Sequence, residues 1–342
     1  MKAAIYTGDE QIELRDVDPM KAEPAYVIVN TKSSGICGSD LHAYFGHWSR
    51  SEKRAHGHEV CGTVVEIGEG VDGFKVGDKV TMECFSHDGT CALCDQGHYN
   101  HCLGKGGFSG EGHGGFAEYT AMHASSLFKL PDDFTFEQGA LVEPLAVCHR
   151  AVMQAGTTSR DRAVVLGGGT IGLLTLAAAK AAGVRETLIT VKYPQQTEVA
   201  KAYGADRIVD VNEEDVTEVV KEWTDDLGAD CVIETVGGAS NFDAAVACAR
   251  KRGTVVLVAG YFEPLEVDLR KIVWSEVVVT GSNCYGYSGR EKDFDAAIEM
   301  IASGRVDPTK IVTHRYGLDE IVEAFRVSAD KKSGSVKVHI VQ

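Results

Sequence analysis

The sequence has no apolar run approaching the length of a membrane span, which excludes a chain organised around spanning helices. Its opening Met-Lys-Ala-Ala-Ile-Tyr lacks the apolar core and cleavage site of a signal peptide and reads as an immediate strand. There is no internal repeat, low-complexity stretch or long linker, which argues against a solenoid. Positive charge is scarce. Against 50 Asp and Glu stand 34 Lys and Arg, a net charge of −16, which argues against nucleic acid as a partner and for an acidic, solvated surface. Without a secretory signal, the ten cysteines point to a reducing compartment, the cytoplasm, where thiols bind metal, do chemistry or pack in cores. The 342 residues, 44% hydrophobic and 25% charged, suffice for one large domain or two ordinary ones.

Two rhythms divide the chain. The first part carries short β-type runs, such as Tyr26-Val-Ile-Val, Val60 to Ile67 and Asp78 to Met82, separated by glycine pairs and Asp-Gly steps, as in a barrel-like β domain. From Ala163 onward, apolar strands alternate with helical stretches. The strands read as Ala163–Leu166, Thr187–Val191, Asp230–Glu234 and Gly253–Val258, with helices over Leu173–Ala182, Glu198–Tyr203 and Asn241–Arg250. That alternation predicts a parallel sheet covered on both faces. Two further helices, near Asp293–Ser303 and Asp319–Ser328, precede a closing strand, Ser335–Val341, expected to return to the first domain.

The first of the alternating strands runs into Gly167-Gly168-Gly169-Thr170-Ile171-Gly172 and then a helix. This is the context in which a glycine fingerprint binds a dinucleotide: a tight turn at Gly167, close backbone approach at Gly169 and close helix packing at Gly172. The helix start then offers unpaired N–H groups to the pyrophosphate. In NAD enzymes an acidic residue about twenty positions further on binds the adenosine ribose. Here the second strand ends Thr190-Val191-Lys192-Tyr193. No carboxylate stands there, and Lys192 can attract a 2′-phosphate, so NADP is expected over NAD.

Two groups of residues have metal-ligand chemistry. Cys37-Gly-Ser39-Asp-Leu-His42 is followed by Gly57-His58-Glu59. Thiolate, imidazole and carboxylate all suit Zn²⁺, and Cys37, His58 and a distant carboxylate make three ligands with a fourth position open to substrate. Glu143, in Leu-Val-Glu-Pro-Leu, is the leading candidate for the carboxylate, with Glu59 as the alternative or exchanging ligand. The second group, Cys91-Ala-Leu-Cys94 and then Cys102, has the spacing of a structural zinc loop. Asp88 is the expected fourth ligand, with Cys84, His87, His98 and His101 as nearby alternatives.

Together these motifs, with Gly62–Val80, Gly114-Gly-Phe-Ala-Glu-Tyr119 and Glu143-Pro-Leu145, resemble the zinc-dependent medium-chain dehydrogenase family across essentially the whole chain, and most closely its polyol branch of sorbitol, threonine and glucose dehydrogenases. The resemblance implies an α/β fold: a Rossmann dinucleotide domain at 148–284 inserted in a mainly β, GroES-like zinc catalytic domain formed by 1–147 and 285–342. It implies hydride transfer between a secondary alcohol or polyol and NAD(P), a small-molecule alcohol or carbonyl substrate, and a homotetramer. Ser39 would hydrogen-bond the substrate hydroxyl, and His42 would pass its proton onward through the nicotinamide ribose. A zinc-free quinone or enone reductase would share the nucleotide domain but lack the Cys37, His58 and Glu143 set. A non-catalytic zinc protein would not require Ser39, His42 and a complete glycine fingerprint. For substrate recognition, Tyr44, Phe45, Trp48 and Phe108 are candidates for an aromatic pocket, and Arg50, Lys53 and Arg54 form a basic loop able to meet an acidic substrate.

Overall fold

The computed structural model describes residues 1–342. The chain forms two compact units, Met1–Glu143 with Ala297–Gln342, and Pro144–Ala296. No helix is long and apolar enough to cross a membrane.

The first unit is built on a sheet of seven strands. Its path runs Val312–Tyr316, Lys337–Val341, Tyr26–Gly35, Glu59–Ile67, Lys79–Met82 and Leu127–Lys129, and Tyr119–His123 also pairs with Tyr26–Gly35. All these pairings are antiparallel except that of the two C-terminal strands. The closing strand lies against the first long one, with His339 opposite Gly35 and Ile340 opposite Ser34. A hairpin, Lys2–Gly8 with Gln11–Asp16, covers one core. There Phe325 meets Tyr6 and Phe116 edge-on at 5.9 and 5.5 Å, a geometry favoured by the ring quadrupole. Burial of each such ring contributes about 1.5–3 kcal/mol.

The second unit holds a sheet of six parallel strands in the order Arg207–Asp210, Glu186–Val191, Arg162–Leu166, Ala229–Glu234, Ala249–Leu257 and Val278–Gly281. This is the doubly wound order, and its direction reverses beside Arg162–Leu166, where a crevice opens at the carboxyl ends of the strands. Ala163 to Leu166 are at most 2% exposed, so the strand has to be apolar on both faces.

One local boundary shifts. The helix expected to end at Arg250 stops at Cys248, and the next strand begins at Ala249 rather than Gly253. Ala249 pairs with Ala229, and Arg250 Nε donates to Asp230 at 2.7 Å, so the sheet takes these residues from the helix. The second compact unit spans Pro144–Ala296. Asp293 is fully buried and binds His149 Nδ1 at 2.7 Å and the backbone N–H of Gly286 at 2.8 Å, which ties the 285–296 segment to the helix Val142–Gln154.

Candidate active site

Cys37 caps the helix Gly38–Tyr44, and its backbone N–H donates to the Asp40 carboxylate at 2.9 Å. A cysteine followed three positions later by an acid thus closes the helix start, as a capping box does. It also holds the Cys37 side chain where the chain leaves the sheet. His58 and Glu59 arrive from the neighbouring strand, Glu59–Ile67, whose first residue pairs with Gly35. A Cβ at position 35 would collide with the Glu59 carboxylate, so a glycine is needed there. The ligand atoms of Cys37, His58 and Glu59 all lie within 4.8 Å of one another.

The electrostatics of this cluster are unbalanced. Burial opposes protonation of His58, but Asp40, Cys37 and Glu143 outweigh it and hold the imidazole well above its ordinary value. Burial likewise pushes the Asp40 carboxyl up. Glu59 is fully buried, and both its oxygens accept from Lys337 Nζ at 2.7 Å. Lys337 also donates to the carbonyl of Ile36 at 3.0 Å, next to Cys37. The site therefore gathers three carboxylates, a thiol and an imidazole around one lysine. That donor set and its excess of negative charge fit a zinc ion. Glu143, 4% exposed at the start of Val142–Gln154, is near enough to act on His58 but is not in the tight trio; Glu59 is, with its charge already met by Lys337.

Ser39 and His42 stand three positions apart on Gly38–Tyr44 and so share a face of that helix. Burial, helped by neighbouring His47, lowers the His42 pKa, so the ring is neutral near pH 7 and able to accept a proton. A cavity of about 770 Å³ opens beside His58 and Asp40. Its wall is largely polar: Ser51, Ser86 and Ser109, Arg50 and Arg54, with Phe108 the one aromatic of the four expected. Tyr44 belongs to the core against Phe325 at 5.2 Å, and Trp48 is exposed. This cavity is lined by more polar than aromatic side chains. The helix Gly38–Tyr44 turns Tyr44 inward to fill the core below the hairpin.

In the second loop the sulfurs of Cys91, Cys94 and Cys102 also lie within 4.8 Å of one another. The Asp88 carboxylate accepts from Cys102 Sγ at 3.2 Å and from Thr90 N–H at 2.9 Å. His87 instead packs on the Tyr99 ring at 4.7 Å. The backbone N–H of Leu103, directed at Cys91 Sγ, is the main cause that draws the Cys91 thiol down to about 7. Three thiols with an acid at their edge, one of them partly thiolate at neutral pH, suit zinc. Native mass spectrometry is expected to count about two zinc ions per chain. Cys94→Ser should remove one of them and lower Tm by about 5 °C or more, and a count unchanged by that substitution would contradict a metal in this loop.

In the second unit the strand Arg162–Leu166 ends in Gly167 at φ 112°, and Gly169 caps the helix Thr170–Ala181. A Cβ on Gly172 would strike the carbonyl oxygen of Gly167, while one on Gly169 would meet nothing within 4 Å. The turn is thus closed where helix and strand touch and open at the helix start, beside Thr170 and Ile171, where an anion is received. Gly168 lies against Gln196, whose side-chain oxygen accepts from the N–H groups of Lys192 at 2.9 Å and Tyr193 at 3.2 Å. Val191 is 2% exposed, and Lys192 is exposed. Asn212 donates to the Lys192 carbonyl at 2.9 Å. Asp40, Lys337, Gln196 and Asn212 were not among the expected site residues. Only Asp40 has a local signal, its spacing from Cys37.

The profile of the alcohol dehydrogenase GroES-like domain matches residues 23–132, and that of the zinc-binding dehydrogenase matches 170–303. The chain is 35% identical to a sorbitol dehydrogenase of Halalkalibacterium halodurans over 91% of its own length and 90% of the relative's. It is 33% identical to an L-threonine 3-dehydrogenase of Pyrococcus horikoshii over 95% and 94% of the two chains. The crystal structure of 2R,3R-butanediol dehydrogenase from Bacillus subtilis superposes with a TM-score of 0.86 at 34% identity, covering 100% of this chain and 99% of the other.

Proposed function

Since this chain belongs to the polyol branch of the zinc-dependent medium-chain dehydrogenases, NAD(P)-dependent oxidoreductases of alcohols with a GroES-like and a Rossmann part, we propose that it oxidises a polyol or other secondary alcohol at the Cys37 and His58 cluster with NADP as the preferred acceptor. The observation that carries this reading is the convergence of Cys37, His58 and Glu59 beside a polar cavity. We assign the catalytic zinc to Cys37, His58 and Glu143, with Glu59 held in reserve by Lys337. When bound, such a metal supplies Lewis-acid polarisation of the substrate oxygen. Ser39 orients the substrate hydroxyl and accepts its hydrogen bond. His42, neutral at pH 7, takes the proton onward. The polar wall orients the remaining hydroxyls. A screen of sugars, polyols, amino alcohols and simple secondary alcohols with both cofactors, followed by nicotinamide absorbance, tests the assignment. No turnover with any of them by the zinc-loaded protein would overturn it.

For the division of labour, we assign catalysis to the stretches around 1–147 and 285–342 and nucleotide binding to 148–284, a reading supported by the two compact units. Preference for NADP rests on the exposed Lys192 at the end of Glu186–Val191, where no carboxylate stands to grip a free ribose or repel a phosphate. Because the lysine is exposed, its bond is worth less than a buried one. Lys192→Ala is therefore expected to lower kcat/KM with NADP about tenfold while leaving NAD nearly unaffected. Equal or better efficiency with NAD in the unmodified enzyme would show the preference to be misassigned.

A homotetramer is supported by the edge strand Val278–Gly281 and by the exposed apolar side chains Leu269, Val273, Trp274 and Val278 next to it. Sedimentation should show no monomer at micromolar concentration. A cytoplasmic location is supported by the use of the cysteines, eight of which lie in the two clusters, at Cys37, Cys91, Cys94 and Cys102, or are buried at Cys61, Cys148, Cys231 and Cys248.

A further inference from the structure

The cavity beside His58 is lined by two arginines and two carboxylates, Asp40 at the His58 end and the exposed Glu111 beside Arg54. Arg50 and Arg54 both line it, whereas the chain as a whole carries a net charge of −16. Guanidinium groups do not deprotonate, so these two charges are fixed features of the wall. Their present partners are weakly held. Arg50 meets Asp9 at 2.6 Å and Arg54 meets Glu111 at 3.4 Å, and the two carboxylates are 71% and 87% exposed. Exposed pairs of this kind contribute little and exchange readily. Backbone carbonyls fix the guanidinium positions: Arg50 donates to Ala43 at 2.9 Å, and Arg54 donates to Gly110. The buried Nε–H of Arg50 has no protein acceptor. The wall thus presents two anchored forks of donors, which match the oxygens of a phosphate or carboxylate. Neither arginine belongs to the cluster around Cys37, where Asp40 accepts from the Cys37 N–H and lies 3.8 Å from His58 Nδ1.

Resting on the proposed polyol oxidation, we propose that the physiological substrate is a polyol or sugar bearing an anionic group, phosphate or carboxylate, and that Arg50 and Arg54 bind that group while the reacting carbinol lies at His58. Ser51, Ser86 and Ser109 then face the intervening hydroxyls. Such a substrate gains from the arginines what it loses to the acidic surface, and a neutral polyol gains nothing from them.

The test compares sorbitol, sorbitol 6-phosphate and gluconate as substrates of the zinc-loaded enzyme and of Arg54→Met, Arg54→Lys and Glu111→Gln. At least one anionic compound is expected to exceed sorbitol about tenfold in kcat/KM, chiefly through KM, and the two anionic arms distinguish phosphate from carboxylate. Arg54→Met should remove about tenfold of that advantage, Arg54→Lys should retain part of it, and Glu111→Gln should increase it by removing a competing carboxylate. Inorganic phosphate should inhibit competitively against the anionic substrate, and less so in Arg54→Met. Sorbitol used as well as both anionic compounds, or Arg54→Met lowering all three equally, would overturn the anion site while leaving polyol oxidation standing. Turnover of simple secondary alcohols but of none of these three would overturn the anion site and the polyol assignment while leaving secondary-alcohol oxidation standing.

Discussion

Replacing Cys37 by serine is expected to lower kcat/KM by about three orders of magnitude with any alcohol that the enzyme oxidises. Metal polarisation of a reacting oxygen is worth several kcal/mol, and each 1.36 kcal/mol is about tenfold in rate, so loss of about 4 kcal/mol gives that factor. The effect should appear in kcat as well as KM, and the zinc count should fall by about one per chain. Dinucleotide binding should survive, because the glycine turn is built from Arg162–Leu166 and Thr170–Ala181 in the other compact unit. The fold should also survive, since the helix is capped by the backbone N–H of Cys37 and the Asp40 carboxylate, not by the sulfur. Full activity of the variant, or of zinc-stripped enzyme, would refute the assignment of Cys37.

The largest stability loss is expected from Lys337→Met. Glu59 and Lys337 are both fully buried or nearly so, and they satisfy each other. Removing one partner leaves an uncompensated charge in the interior, which costs about 3–5 kcal/mol. Urea unfolding should show this as a lower midpoint at unchanged slope. Glu59→Gln with Lys337→Met should recover part of the loss, because the double variant leaves no buried charge at this pair. The pair also fixes a pH dependence. Burial alone would lower the Lys337 pKa, but Glu59, Cys37 and Asp40 together raise it above the ordinary lysine value. A group whose folded pKa is raised stabilises the protein fully below its unfolded value, about 10.4 for lysine, and the contribution fades as pH rises through the folded value. The unmodified protein should therefore lose stability on the alkaline side above about pH 10.4. The methionine variant should lack that component.

Much of this was legible in the sequence where chemistry and spacing are local. The fingerprint from Gly167 to Gly172 carries its own context, a strand before and a helix after, and the structure has both. The Cys91, Cys94 and Cys102 set is confined to one short loop, so its residues could be grouped without knowing the fold. Side-chain roles that depend on distant strands were not legible. Lys337 meets Glu59 across a sequence separation of 278, set by the pairing of the closing strand with Tyr26–Gly35, and nothing near either residue marks the other. The same holds for Tyr44, which reads as a pocket aromatic until the hairpin core places it against Phe325. At the end of Glu186–Val191 the sequence shows a missing carboxylate, but only the fold shows that Val191 is buried and that Gln196 holds the following backbone. The strand beginning at Ala249 was hidden for another reason. Ala-Arg-Lys-Arg has good helix propensity, and pairing with Ala229 overrides it.

The position of the closing strand bears on how the molecule is made. During synthesis Glu59 emerges long before Lys337, and at about 5–20 residues per second the 278 residues between them take some tens of seconds. Throughout that interval the nascent chain holds the strands Tyr26–Gly35 and Glu59–Ile67 without the lysine that neutralises Glu59 or the strand that completes the sheet edge. The parallel sheet of Pro144–Ala296 is continuous in sequence and is complete before the last 46 residues leave the ribosome. Maturation therefore runs from the middle outward. The first unit is sealed last, by the C-terminal residues, and a chain that terminates before Lys337 holds every proposed zinc ligand and the whole glycine fingerprint yet keeps an open, charged edge for chaperones and proteases to recognise.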